Sequence, residues 1–313
     1  MRDLFIKTLT ELSEENSDII LITGDLGFGV LDDYRKRFPN NFVNAGVAEQ
    51  NMTGIATGLA LEGKKVFTYS IGNFPTLRCL EQIRNDACYH NANVKIVSIG
   101  GGFSYGALGI SHHATEDLAI LRSLPDITVV CPAGPWEIQK ATEEIYNHPG
   151  TCYLRIDKSM GEDNPLDESE EFKIGKASVI HEGSDCTIIV TGGILEEALI
   201  ARNILMKEGI SLKIISMHTI KPIDVEFVVD ACKKTPVLIT LEEHTVIGGL
   251  GGAVSEIIAE NSFNNLTFKR MGLEKGFSSI VGSQRYLRKM YKIDSTEVVN
   301  TIKRLLRGKL SND

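Results

Sequence analysis

Two α/β domains in tandem, each with a mainly parallel sheet, are what this sequence predicts. Three observations carry the prediction. Short apolar runs alternate with longer amphipathic segments, the sign of strands crossing over through helices. The alternation breaks at one acidic stretch punctuated by Pro and Gly, then resumes. And 313 residues suit two cores better than one or three. The boundaries read as 1–160 for the first domain, 161–175 for a linker and 176–313 for the second domain.

Taken in order, the chain opens on Arg2-Asp3-Leu4-Phe5-Ile6, charged and helical in texture, with no apolar core of a secretion signal. A cytoplasmic protein is expected. Ile19-Ile20-Leu21-Ile22 is a buried strand ending at Thr23-Gly24-Asp25. Further strands are expected at 66–69, 94–99 and 128–130, with helices over 47–62, 76–91, 115–123 and 134–147. Beyond the linker, strands are expected at 186–190, 212–216 and 237–241, and helices at 195–208, 224–234 and 253–260. No run reaches the roughly 20 apolar residues of a membrane span. A net charge of -8 argues against a nucleic-acid or anionic-membrane partner. The six cysteines are scattered through apolar runs without a C-x-x-C pair and read as reduced core thiols.

One segment stands out. Asn44-Ala45-Gly46-Val47-Ala48-Glu49-Gln50-Asn51-Met52 follows a short strand and opens a helix rich in small residues. Its glutamate lies near the end of a parallel sheet where such folds place ligands. On spacing alone, Glu49 is equally a helix-start acid held by the macrodipole. A second segment, Gly106 to Leu118, carries His112 and His113 ahead of a helix. A third runs from Thr68-Tyr69-Ser70 through Phe74; a fourth, Cys152 to Lys158, offers Arg155 and Lys158. Phe74 and Tyr69 serve equally as core aromatics, and Arg155 and Lys158 as partners of Asp157 or the acidic linker.

The Glu49 segment resembles the glutamate motif in the pyrimidine-binding domain of transketolases, deoxyxylulose-phosphate synthases and 2-oxoacid dehydrogenase beta subunits. The resemblance implies thiamine diphosphate as cofactor. It also implies that Glu49 hydrogen-bonds N1' of the aminopyrimidine, favouring the tautomer that takes the proton from the thiazolium ring. The run Gly106-Ala107-Leu108-Gly109-Ile110-Ser111-His112 resembles the family's Gly-Glu-Asp-Gly-Pro-Thr-His, so His112, with His113 as runner-up, is expected to contact substrate beside the thiazolium. Ala107-Leu108 replaces the acidic pair of that motif, which puts the usual sugar in doubt or implies that another chain supplies the contact. Phe74 first and Tyr69 second match the aromatics that stack on the aminopyrimidine. Arg155 and Lys158 match a substrate-phosphate site.

The second half resembles the transketolase C-terminal domain through Met217-His218-Thr219-Ile220-Lys221-Pro222 and Glu242-Glu243-His244-Thr245-Val246-Ile247-Gly248-Gly249. The glycines around 248–252 read as tight packing at a strand-to-helix turn, and Gly100-Gly101-Gly102 as a flexible strand end. The family's diphosphate-binding domain, with Gly-Asp-Gly and a distant Asn holding Mg2+, has no counterpart here; Gly24-Asp25-Leu26-Gly27 is a poor match. The resemblance therefore implies the C-terminal subunit of a split transketolase. A companion chain would carry the missing domain and most of the Mg2+ site, in an assembly of two of each chain. It would move a two-carbon ketol unit from a ketose, expected to be phosphorylated, to an aldose. The alternatives are a deoxyxylulose-phosphate-synthase-like or 2-oxoacid dehydrogenase beta-type enzyme, and a non-catalytic binding or regulatory subunit.

Overall fold

A computed structural model describes residues 1–159, 171–263, 265–274 and 276–310. The predicted linker falls largely outside them.

Among the described residues, twelve strands form two sheets. The first contains β1 (Ile19–Thr23), β2 (Phe42–Asn44), β3 (Lys65–Ile71), β4 (Val94–Ile99), β5 (Ile127–Val130) and β6 (Thr151–Ile156). The second contains β7 (Ser178–His181), β8 (Cys186–Thr191), β9 (Leu212–Ser216), β11 (Val237–Thr245) and β12 (Thr267–Leu273). The remaining strand, β10 (Thr219–Lys221), lies late in the chain yet closes the edge of the first sheet, antiparallel to β5. The orders are β10-β5-β6-β4-β3-β1-β2 and β12-β11-β8-β9-β7. Among the described strands, every pairing is parallel except β10 with β5 and β7 with β9.

Both faces of the first sheet are covered, which explains its unbroken apolar runs. Along β1, Ile20 and Ile22 pack on the side of helix Glu49–Leu61, and Ile19 and Leu21 on the side of Phe5, Leu9 and Ile138. The first of these cores continues without a break into Ile189, Ile215, Leu238 and Leu250 of the second half. The two halves thus share one apolar seam. Among the described residues, no helix is long and apolar enough to cross a membrane.

Two expectations need correction. The helix expected over 76–91 is three short pieces: a 3-10 turn at Leu77–Cys79, one turn of α-helix at Leu80–Gln82 and a π-helix at Ile83–Cys88. Such interruptions concentrate at functional sites, and this one carries Arg78 to Glu49. Gly100–Gly102 is not a loose strand end either. A Cβ on Gly101 would stand 1.9 Å from Arg155 Nε, and one on Gly102, whose φ is +56°, 2.4 Å from Glu243 Oε1. These glycines are required by close packing. Strand β6 escaped notice because Arg155 interrupts its apolar run, though every residue of the strand is buried.

Candidate active site

Glu49 is the first residue of its helix and only 1% exposed. It sits where β1 ends: a Cβ on Gly24 would come 3.3 Å from Glu49 Oε1. Ser70, on the neighbouring β3, lies 3.4 Å from the same oxygen. The other oxygen, Oε2, accepts a 2.7 Å hydrogen bond from Arg78 Nη1. The Arg78 guanidinium lies over the Phe74 ring, 4.3 Å from its centroid, and Phe74 meets the His112 ring edge-on at 5.2 Å. His112 in turn meets Tyr105 at 6.3 Å, and the Lys158 ammonium stands 4.5 Å over Tyr105. One continuous cluster therefore joins Glu49, Arg78, Phe74, His112, Tyr105 and Lys158.

Burial, and secondarily the neighbouring His113, hold the His112 imidazole below its ordinary range. At neutral pH it is uncharged, able to donate from one nitrogen and accept at the other. Its hydroxyl neighbour Ser111 lies 3.0 Å from Nδ1.

The other expected site residues lie elsewhere. His113 is fully buried: Nδ1 lies 2.9 Å from both Ser278 O and Ser278 Oγ, Nε2 lies 3.1 Å from Gly106 O, and the ring sits edge-on to Phe103. It fastens the 106–113 loop to the second domain instead of facing the cluster. Tyr69 points to the opposite face of β3 from Ser70, as alternation requires, and stacks on Phe5. Burial raises its hydroxyl pKa far above normal, so it stays protonated. Arg155 is 2% exposed and not open to a phosphate. Its Nε donates to Asp157 Oδ1 at 3.2 Å, Nη1 to Asp117 Oδ1 at 3.5 Å and Nη2 to Glu243 O at 3.0 Å. A buried guanidinium with no carboxylate partners would be very costly, so this arginine is committed to the domain seam.

Sequence reasoning missed Arg78 and Tyr105. Arg78 had one legible signal: a cation at a helix start opposes the macrodipole and calls for a local anion. That anion is 29 residues away, so no spacing rule reaches it.

The donor set fits a flat nitrogen heterocycle, with a buried carboxylate oxygen beside an aromatic face. Among the described residues, no group of three or more His, Cys, Asp or Glu side chains converges to hold a metal ion. The Gly-rich turn before helix Leu250–Glu260 is already filled: Glu242 accepts from Leu250 N at 2.7 Å and Gly251 N at 2.8 Å. A helix N-terminus of this kind can bind an anion, and here the chain's own carboxylate occupies it.

Residues 1–162 match the model of the transketolase pyrimidine binding domain, and residues 175–298 that of the transketolase C-terminal domain. The chain belongs to the transketolase family. It is similar to an apulose-4-phosphate transketolase subunit of Phocaeicola vulgatus, 39% identical over 83% of this chain and 84% of the relative. It is also similar to the putative transketolase C-terminal section of Methanocaldococcus jannaschii, 39% identical over 96% and 95% of the two chains. Among solved structures, a split-gene transketolase described as an inactive beta4 tetramer superposes with a TM-score of 0.86 at 34% identity, covering 98% of both chains. This transketolase-type chain thus corresponds to relatives that are themselves single subunits or C-terminal sections, and family membership implies thiamine diphosphate.

Proposed function

We propose that the chain is the catalytic C-terminal subunit of a split transketolase, moving a two-carbon ketol unit from a phosphorylated ketose to an aldose. The observation that carries this reading is the convergence of buried Glu49, half-buried Phe74 and neutral His112 in one cluster. Bound thiamine diphosphate supplies the nucleophilic thiazolium carbon that accepts the two-carbon unit. Glu49, only 1% exposed, would share a proton with the aminopyrimidine nitrogen N1'. Phe74 packs the flat ring at low entropic cost. His112 accepts a hydrogen bond from the substrate hydroxyl at one ring nitrogen and takes up its proton as the carbon–carbon bond breaks. Lys158, exposed at the rim, meets the substrate phosphate as a point charge.

A companion chain is part of the proposal: it carries the diphosphate-binding domain and holds Mg2+, and the complex has two of each chain. The family models matched here are the pyrimidine and C-terminal domains, and the similar beta4 tetramer is described as inactive. The relative named for apulose 4-phosphate supports a phosphorylated sugar. Leu108 is 59% exposed, so this surface offers carbon where an acid would recognise a hydroxyl. Either the preferred sugar lacks a hydroxyl at that point or the companion chain supplies the acid that recognises it.

The test is a coupled ketol-transfer assay of the two-chain complex. Wild type turns over, and Glu49→Gln loses at least about 100-fold while the complex elutes unchanged on size exclusion. Full activity in Glu49→Gln would sink the assignment, and decarboxylation of a 2-oxoacid would move the chain to another branch of the thiamine enzymes. Tight binding of thiamine diphosphate and Mg2+ to the lone chain would remove the need for a companion.

A further inference from the structure

Glu49 and Phe74 are both engaged by a side chain to which no motif gives a role. Arg78 donates from Nη1 to Glu49 Oε2 at 2.7 Å, while its guanidinium carbon lies 4.3 Å from the Phe74 ring centroid. A guanidinium is planar, rich in N–H groups, and stacks on aromatic faces. An aminopyrimidine that met this carboxylate and stacked on this ring would make the same two contacts. Both groups cannot make them at once.

The surroundings explain why the arginine is there and why it can leave. A carboxylate only 1% exposed needs a counter-charge, because burying it alone costs several kcal/mol. The Arg78 side chain, by contrast, is 42% exposed and starts from the short 3-10 turn Leu77–Cys79. Part of it already lies in water, so it can swing out from this turn.

We infer that Arg78 is a placeholder for the aminopyrimidine, balancing Glu49 and covering Phe74 until the cofactor displaces it. Cofactor binding is then an exchange of one flat nitrogen group for another. The apparent affinity is lowered by whatever the arginine contacts are worth. This inference rests on the assignment of Glu49 and Phe74 to the aminopyrimidine.

The experiment uses the full-length chain and the free pyrimidine half of the cofactor, 4-amino-5-hydroxymethyl-2-methylpyrimidine, titrated by ligand-observed NMR. Arg78→Ala should bind it about tenfold more tightly than wild type, equivalent to about 1.4 kcal/mol. Arg78→Lys, which keeps the charge without the flat fork, should fall between. Guanidinium chloride at low millimolar concentration should compete with the pyrimidine in Arg78→Ala, and sodium chloride at equal ionic strength should not. Unchanged or weaker binding in Arg78→Ala overturns the placeholder alone. Tighter binding that persists in the Arg78→Ala, Glu49→Gln double variant overturns the Glu49 assignment and the placeholder with it.

Discussion

His112 and His113 are adjacent in sequence and opposite in fate. Three polar contacts, two with Ser278 and one with Gly106, and an aromatic edge absorb His113, whereas His112 keeps a half-exposed ring against Phe74. The proposal therefore puts the reaction on one imidazole only. His112→Asn should lower kcat/KM by about 100-fold, the lower range for a lost proton-transfer group, while leaving cofactor affinity unchanged. Steady-state kinetics beside calorimetric titration of the complex separates the two. A change in affinity with kcat preserved would place His112 on the cofactor instead. The motif made both histidines legible, but which one is free depends on Ser278, 165 residues away.

At the scale of elements, β6 is the most informative strand. It buries Arg155 in the middle of the molecule and spends its guanidinium across the domain seam. Asp157, just beyond the strand, accepts from Arg155 Nε and, through Oδ2, from Gly193 N of the second domain at 2.8 Å. Arg155→Met would leave Asp117 and Asp157 without their cation. A broken buried pair of this kind costs about 3–5 kcal/mol, to be read as a lowered urea midpoint. A shift under about 1 kcal/mol would mean that the seam carries no net electrostatic stability. In sequence, the same arginine offers a phosphate fork with equal plausibility. Burial decided between the two readings, and burial follows from where β4 and β5 flank the strand.

For the whole molecule, three fully buried groups stand out among those that shape how stability responds to pH. Burial lowers His218 to about 3 and His244 to about 4, and raises Glu242 to about 7 against two opposing backbone hydrogen bonds. Both imidazoles are neutral in the fold but take a proton when unfolded below about 6.5, so their share of stability is lost on acidification. Glu242 acts in the reverse sense. It is protonated in the fold below about 7 but ionised in the unfolded chain above about 4.5, so its share is lost as pH rises through that window. Between about pH 6.5 and 5 the two imidazoles outweigh the single carboxyl, so these three groups together lose stability on acidification. Glu242→Gln removes the opposing contribution and should steepen that loss about twofold, measurable from urea midpoints at several pH values. An unaltered slope would show that Glu242 is ionised throughout the window.

The two α/β halves, the family and the Glu49 motif were all legible in the amino-acid sequence. Apolar period, turn residues and local spacing are properties of neighbouring residues, and those survive in one dimension. The segments around Phe74 and His112 were legible for the same reason, because each is a short motif tied to the end of a strand. What those side chains meet was a matter for the tertiary structure. It gave β10 to the first sheet, turned His113 and Tyr69 away, sealed Arg155 into the seam and set Arg78 on Glu49. Each of these is a contact between residues far apart in the chain. Its sign depends on which face of a strand is buried and which charge waits there.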